Sequence, residues 1–171
     1  MQADDERLDD FEEYKAIKEF ITTFDTPKTL DFWQTLIIEE AMEFLNAEEP
    51  VNILKEYCDL QYVTGGQIVT ADILGLSPVD ITNIQTRAST TLLRECAMRL
   101  EEVIIPYYND NIIKEAFLRI HKSNMSKVGD DGKPLRNENG KILKGPNYIP
   151  PTLDDLVPVE AYHIKKPYYS H

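Results

Sequence analysis

From residue 5 to residue 123, apolar side chains recur at steps of three and four almost throughout, and this period restricts the chain to helices. The clearest run is Leu30, Trp33, Ile37, Ala41 and Phe44, which predicts a helix ending near Glu49. It follows "DTPKTL", where Thr26 is the expected N-cap and Pro27 the first helical position. An amphipathic helix over 5–24 is predicted before it, from Leu8, Phe11, Ile17 and Phe20. Pro50 opens a third helix, expected to reach Leu74 with Ile53, Tyr57, Leu60 and Ile68 along one stripe. Gly65 and Gly66 interrupt it at a cost of roughly 1 kcal/mol each relative to Ala, which implies close contact with another backbone or a bend. Ser77, Pro78 and Asp80 have the spacing of a helix start, so a fourth helix is expected over 78–104. Pro106 closes it, and a fifth is expected from Asn109 to Ser123.

The expected architecture is therefore all-α, a four-helix core with an extra helix and a C-terminal turn-rich loop or hairpin. A chain of 171 residues with 42% hydrophobic residues can bury about two-thirds of its unfolded surface, so a single domain over 1–171 is expected. Within it, 1–123 is the helical part and 124–171 a loop and C-terminal arm. Cys58 and Cys96 fall inside apolar helical patterns and read as buried thiols of a reducing compartment. The acidic start and the lack of any apolar run near 18 residues suggest a soluble, cytoplasmic protein. A net charge of −12 argues against nucleic acid as a partner, because phosphate-backbone binding needs clustered Lys and Arg.

After Asn124 the composition turns to Gly, Pro and Asn, with "NENG" as the expected hairpin tip. Residues 122–144 carry six Lys or Arg against three Asp or Glu. A basic loop on an acidic chain suits an anionic ligand, and a solvated terminal loop fits the same charges. An EF-hand reading of "DDGKPLRNENGK" fails, since its oxygen donors miss the alternating loop positions and the last bidentate Glu is absent.

The acids of the second and third helices are the chemical signal. At 100° per residue, Glu40, Glu43 and Glu39 lie roughly 60°, 120° and 160° to one side of the apolar stripe, interleaved with Leu36 and Phe32. Glu56 and Asp59 likewise share one flank of the third helix. Two such flanks facing each other would gather up to five carboxylates. Partly buried, these would take up protons unless cations neutralise them, and Lys55 is the only Lys or Arg between Leu30 and Leu74. Either E-x-x-E or E-x-x-D alone marks a solvated face more often than a site. Paired on antiparallel helices, they suit Mg²⁺ or Mn²⁺, which take oxygen ligands and substrate phosphates.

The arrangement E40-A-M-E43, twelve intervening residues, then E56-Y-C-D59 resembles the E-x-x-E…E-x-x-D signature of the MazG-like all-α nucleoside triphosphate pyrophosphatases. "DLQYVTGGQIVTADILGL" is similar to the stretch after the signature Asp in phage and bacterial members. "HKSNMSKVGDDGKPLRNENGKILKGPNYIPPTL" resembles the N-x-S-K…G-K-x-x-K…P-P tail of the phage-type branch. The resemblance implies that Glu40, Glu43, Glu56 and Asp59 bind Mg²⁺ or Mn²⁺. It implies that Glu39 activates water or holds a further metal, and that Asn124, Lys127, Lys141, Lys144 and Tyr148 meet the nucleotide.

The implied reaction is hydrolysis of a nucleoside triphosphate to monophosphate and pyrophosphate by a homodimer or homotetramer. A deoxynucleotide is favoured by the tail, with (d)GTP first because the similar MazZ branch prefers guanine, and dUTP or dCTP next. A noncatalytic acidic helical module for a basic partner is the competing class. Residues 78–106 depart from shorter relatives. Their Arg87, Arg94 and Arg99 either reach phosphates or pair with Glu95, Glu101 and Glu102. Trp33, Phe32, Tyr62 and Tyr148 are the aromatics that could stack on a base, although such spacing is usually core. His121, His163 and His171 are left without a role.

Overall fold

The second and third helices form a tight hairpin around which the other elements assemble. The computed structural model describes residues 11–76 and 90–163. In it, α1 is Glu12–Thr23, α2 Leu30–Asn46, α3 Pro50–Ile73, α4 Thr90–Val103 and α5 Asp110–Met125, followed by 3-10 turns at Asp154–Leu156 and Val159–His163. Among the described residues there is no strand, only the isolated bridges Val128 to Pro134 and Arg136 to Ile142. The all-α expectation holds.

Three residues join α2 to α3, so the two must run antiparallel, and Trp33 Nε1 donates to Thr70 Oγ1 at 2.7 Å across their far ends. The glycines serve that contact. A Cβ on Gly66 would stand 2.3 to 2.6 Å from Trp33 ring atoms, and one on Gly65 would stand 2.2 Å from Ile17 Cδ1. The close neighbours are thus side chains, not the second backbone expected from sequence. Leu30, Trp33, Ala41 and Phe44 are buried as their spacing requires, with Ile37 half-buried.

The α3 stripe differs from expectation. Ile68 is exposed and Leu60 half-buried, while Ile53, Leu54, Cys58, Tyr62, Val63 and Val69 are buried. This helix packs against α1, α2 and α5 together, so no single face defines it. Cys58 and Cys96 are buried free thiols.

Two boundaries also move. Thr26 caps no helix: its amide donates to Ile21 O at 3.2 Å, and Asp25, at φ 43°, donates to Thr22 O, the wrap that finishes an α-helix. The cap of α2 is Thr29, whose Oγ1 accepts from the Phe32 amide. Phe11 is extended, so α1 begins at Glu12 rather than running through from residue 5. Of the expected elements, residues 5–10, the Ser77–Asp80 start, Arg87 and the arm 164–171 lie outside the described residues. The fifth helix is longer than expected, ending at Met125 and capped by the Asn109 side chain on the Ile112 amide.

The addition carrying α4 packs on α2. Cys96 Sγ lies 3.9 Å from Ala41 O, and the buried Arg99 donates from Nη2 to Ala47 O at 2.8 Å. Its Nη1 stands 3.9 Å from Glu102, so Arg99 is held within the fold rather than free to meet phosphate.

Candidate active site

All five acids come from the α2–α3 hairpin, and their burial follows their angle from the α2 stripe. Glu40, closest to the stripe, is half-buried; Glu43 and Glu39 are exposed. Antiparallel packing sets Glu56 across from Glu40 and Glu43. One carboxylate oxygen from each of these three lies within 4.8 Å of the others, and Glu56 Oε2 is buried with no hydrogen-bond partner. Asp59, one turn further along α3, is not among the converging three. It accepts from Lys55 Nζ at 2.8 Å, as does Glu56 Oε1.

Crowding perturbs these groups. Burial, reinforced by the charges of Asp59, Glu43 and Glu56 and only partly offset by Lys141, pushes the Glu40 carboxyl from 4.5 up to about 7. Burial also raises Glu56, against the opposing hydrogen bond and charge of Lys55. For Lys55, burial favours the neutral amine, but Asp59 and Glu56 outweigh it and hold the ammonium well above its ordinary value. This lysine was legible as the segment's only cation, and its i,i+4 spacing to Asp59 could have placed it in the site.

The tail closes over the acids from the other side. Asn124 and Lys127 stand at the end of α5, and the chain then turns back twice. Gly129 and Lys133 bracket one turn, and the Asn137–Gly140 turn falls on the "NENG" expected from sequence, with Asn137 Oδ1 accepting from the Asn139 and Lys141 amides. Arg136 pins this hairpin to the end of α1. Its guanidinium donates to Phe24 O, to Asp25 O at 3.2 Å and to Gly140 O at 3.1 Å. Further along, Ser123 Oγ donates to Ile149 O at 2.7 Å and the Ile149 amide to Ser126 Oγ at 2.8 Å.

Lys141 Nζ consequently reaches α2 and bonds Glu39 Oε1. A cavity of about 530 Å³ lies between, with Glu40, Glu43, Lys55 and Asp59 on one wall. Asn124, Lys127, Lys141, Lys144 and Tyr148 line the other. Burial lowers the Lys127 ammonium against the pull of Asp59 and Glu40, with Lys144 and Lys141 adding to the lowering. Lys144 Nζ sits 5.0 Å from the Tyr148 ring centre.

A narrower slot of about 70 Å³ continues from the same acids and lysines, with Phe32, Trp33 and Tyr62 along it. Trp33 and Tyr62 are almost wholly buried. They are core residues whose edges line the slot, while Phe32 and Tyr148 are half-buried. His121 has a structural role that sequence did not reveal: its Nδ1 lies 2.9 Å from Tyr62 Oη and its Nε2 3.1 Å from Glu19. Eight of the ten residues expected at the site line this one hollow; of the other two, Glu56 joins through the carboxylate cluster and Glu39 through its bond to Lys141.

Comparison with curated proteins and with solved structures gave no match. Residues 14–88 match the family model described as Phosphoribosyl-ATP pyrophosphohydrolase, a span that includes all five acids but not the tail. Members of that family are nucleotide pyrophosphohydrolases and typically depend on a divalent metal. That family belongs to the MazG-like all-α NTP pyrophosphatases, and the matched segment, all-helical where it is described and carrying the paired acids, is similar to them.

Proposed function

We propose that the protein hydrolyses a nucleoside triphosphate, favouring a deoxynucleotide and (d)GTP first, to monophosphate and pyrophosphate. The reading rests on one juxtaposition: Glu40 and Glu43 line a cavity shared with Lys127, Lys141 and Lys144, and they converge with Glu56, whose Oε2 is buried without a partner. An all-carboxylate donor set fits Mg²⁺ or Mn²⁺, and the unpartnered Glu56 oxygen is the atom such an ion would satisfy. Glu40, Glu43, Glu56 and Asp59 would hold it. When bound, a divalent ion lowers the pKa of a coordinated water and neutralises triphosphate charge.

The chain's own residues supply the rest. Glu39 is the general base: water attacks the α-phosphorus, its proton passes to the Glu39 carboxylate, and the bond between the α-phosphorus and its bridging oxygen breaks. Lys141, now on Glu39, serves the phosphates when substrate is present. Together with Lys127 and Lys144 it offsets the charge growing on the departing pyrophosphate. Asn124 and Tyr148 contact the nucleoside. A one-ring base, dUTP or dCTP, is the second reading, favoured by the narrowness of the slot.

The assembly in this reading is a homodimer or homotetramer, supported by the exposed apolar Ile38 and Met42 on α2 and Leu93 on α4. A cytoplasmic location goes with it; among the described residues no helix is long and apolar enough to cross a membrane. Pyrophosphate release from the common ribo- and deoxyribonucleoside triphosphates and phosphoribosyl-ATP, with Mg²⁺ or Mn²⁺, tests the activity. Glu43→Ala and Asp59→Ala should each abolish release while folding normally. Near-normal release by both variants would remove the metal assignment.

A further inference from the structure

Lys55 has no part in the reaction outlined above, yet it stands inside its machinery. Its ammonium lies 2.8 Å from an oxygen of Glu56 and 2.8 Å from an oxygen of Asp59, and its side chain is on the wall of the large cavity beside Glu40 and Glu43. It is the only Lys or Arg that the α2–α3 hairpin possesses. The carboxylate it bonds most simply, Asp59, is also the one proposed ligand absent from the converging group of three.

We propose that Lys55 is a tethered counterion that holds Glu56 and Asp59 together in the metal-free protein and competes with the divalent ion for them. The inference rests on the metal site proposed above. Two ammonium–carboxylate bonds are charge-assisted and lose little entropy when both acceptors sit on the lysine's own helix. Drawing Asp59 to an ion shared with Glu40 and Glu43 sets that ion against a positive charge already bonded to Asp59. The four-carbon stem of lysine lets the ammonium swing clear without backbone movement. Once released, it faces the cavity that Lys127, Lys141 and Lys144 also line, where a polyanion provides its next partner. Lys55 thus weakens metal uptake by the empty protein and links it to arrival of the triphosphate.

The test is Mn²⁺ binding by calorimetry to the full chain, wild type against Lys55→Met and Lys55→Gln, without nucleotide. Losing a competing charge-assisted pair should tighten Mn²⁺ binding by about tenfold or more. Unfolding followed in parallel should show the variants less stable than wild type without metal and restored by Mn²⁺. Equal or weaker Mn²⁺ binding by both variants, or a loss of fold that Mn²⁺ does not restore, would overturn the inference while leaving the metal site standing. Failure of the wild type and both variants to bind Mn²⁺ at all would instead remove the proposed function itself.

Discussion

Replacing Glu40 by Gln should stabilise the metal-free protein, and the gain should depend on pH in one direction. Burial, aided by Asp59 and Glu43, moves this carboxyl from 4.5 to about 7. The folded state therefore holds the proton more tightly than the unfolded chain does. Stability is greatest while Glu40 is protonated, below about pH 4.5, and falls as pH rises towards 7. The full penalty on the ionised fold is roughly 3 kcal/mol, and the carboxyl's remaining contact with water brings the expected figure to about 2 kcal/mol. Gln keeps the shape and removes the charge. Urea unfolding in EDTA at fixed protein concentration should show wild type and variant nearly equal at pH 4.5, with the variant ahead by about 2 kcal/mol at pH 8. Saturating Mn²⁺ should reverse the order, since only the wild type has the full ligand set. A gap that is the same at both pH values, or a variant less stable at pH 8, would refute the claim that repulsion and burial strain this acid.

Gly66→Ala gains helix propensity of about 1 kcal/mol, but its methyl meets the Trp33 ring, so net destabilisation of roughly 1–3 kcal/mol is expected by urea unfolding. A neutral or stabilised variant would mean that Trp33 does not pack as described. Arg136→Ala removes the hairpin's ties to Phe24, Asp25 and Gly140, and the KM for nucleotide should rise roughly tenfold while far-UV circular dichroism is unchanged. An unaltered KM would separate the hairpin from substrate binding.

Much of this was legible because the signals were local. Pro50 can only begin a helix, and Leu30, Trp33, Ala41 and Phe44 repeat at the α-helical step, so the antiparallel pair and the flank bearing Glu40 and Glu43 follow from counting. The "NENG" turn was readable for the same reason. What failed depended on distant contacts. Thr26 looks like a cap, but Asp25 takes a left-handed conformation usually given to Gly and winds Thr26 onto the end of α1. Ile68 looked like core because it continues the stripe of Ile53, Tyr57 and Leu60, but three packed neighbours decide which residue is left outside. The bonds of Lys55 to Glu56 and Asp59 needed only i,i+1 and i,i+4 spacing. Those of Lys141 to Glu39 and Arg136 to Phe24 span more than a hundred residues, and no periodicity announces them.

The central claim is that the α2 and α3 acids cluster to hold divalent metal over a triphosphate. Anomalous diffraction from crystals grown with Mn²⁺ and a nucleotide bearing a non-hydrolysable α–β bridge addresses it directly. The proposed site requires manganese bound by Glu40, Glu43, Glu56 and Asp59, with phosphate oxygens completing its shell and Lys55 displaced. Nucleotide bound elsewhere, or these carboxylates turned to solvent with no anomalous peak among them, would contradict it.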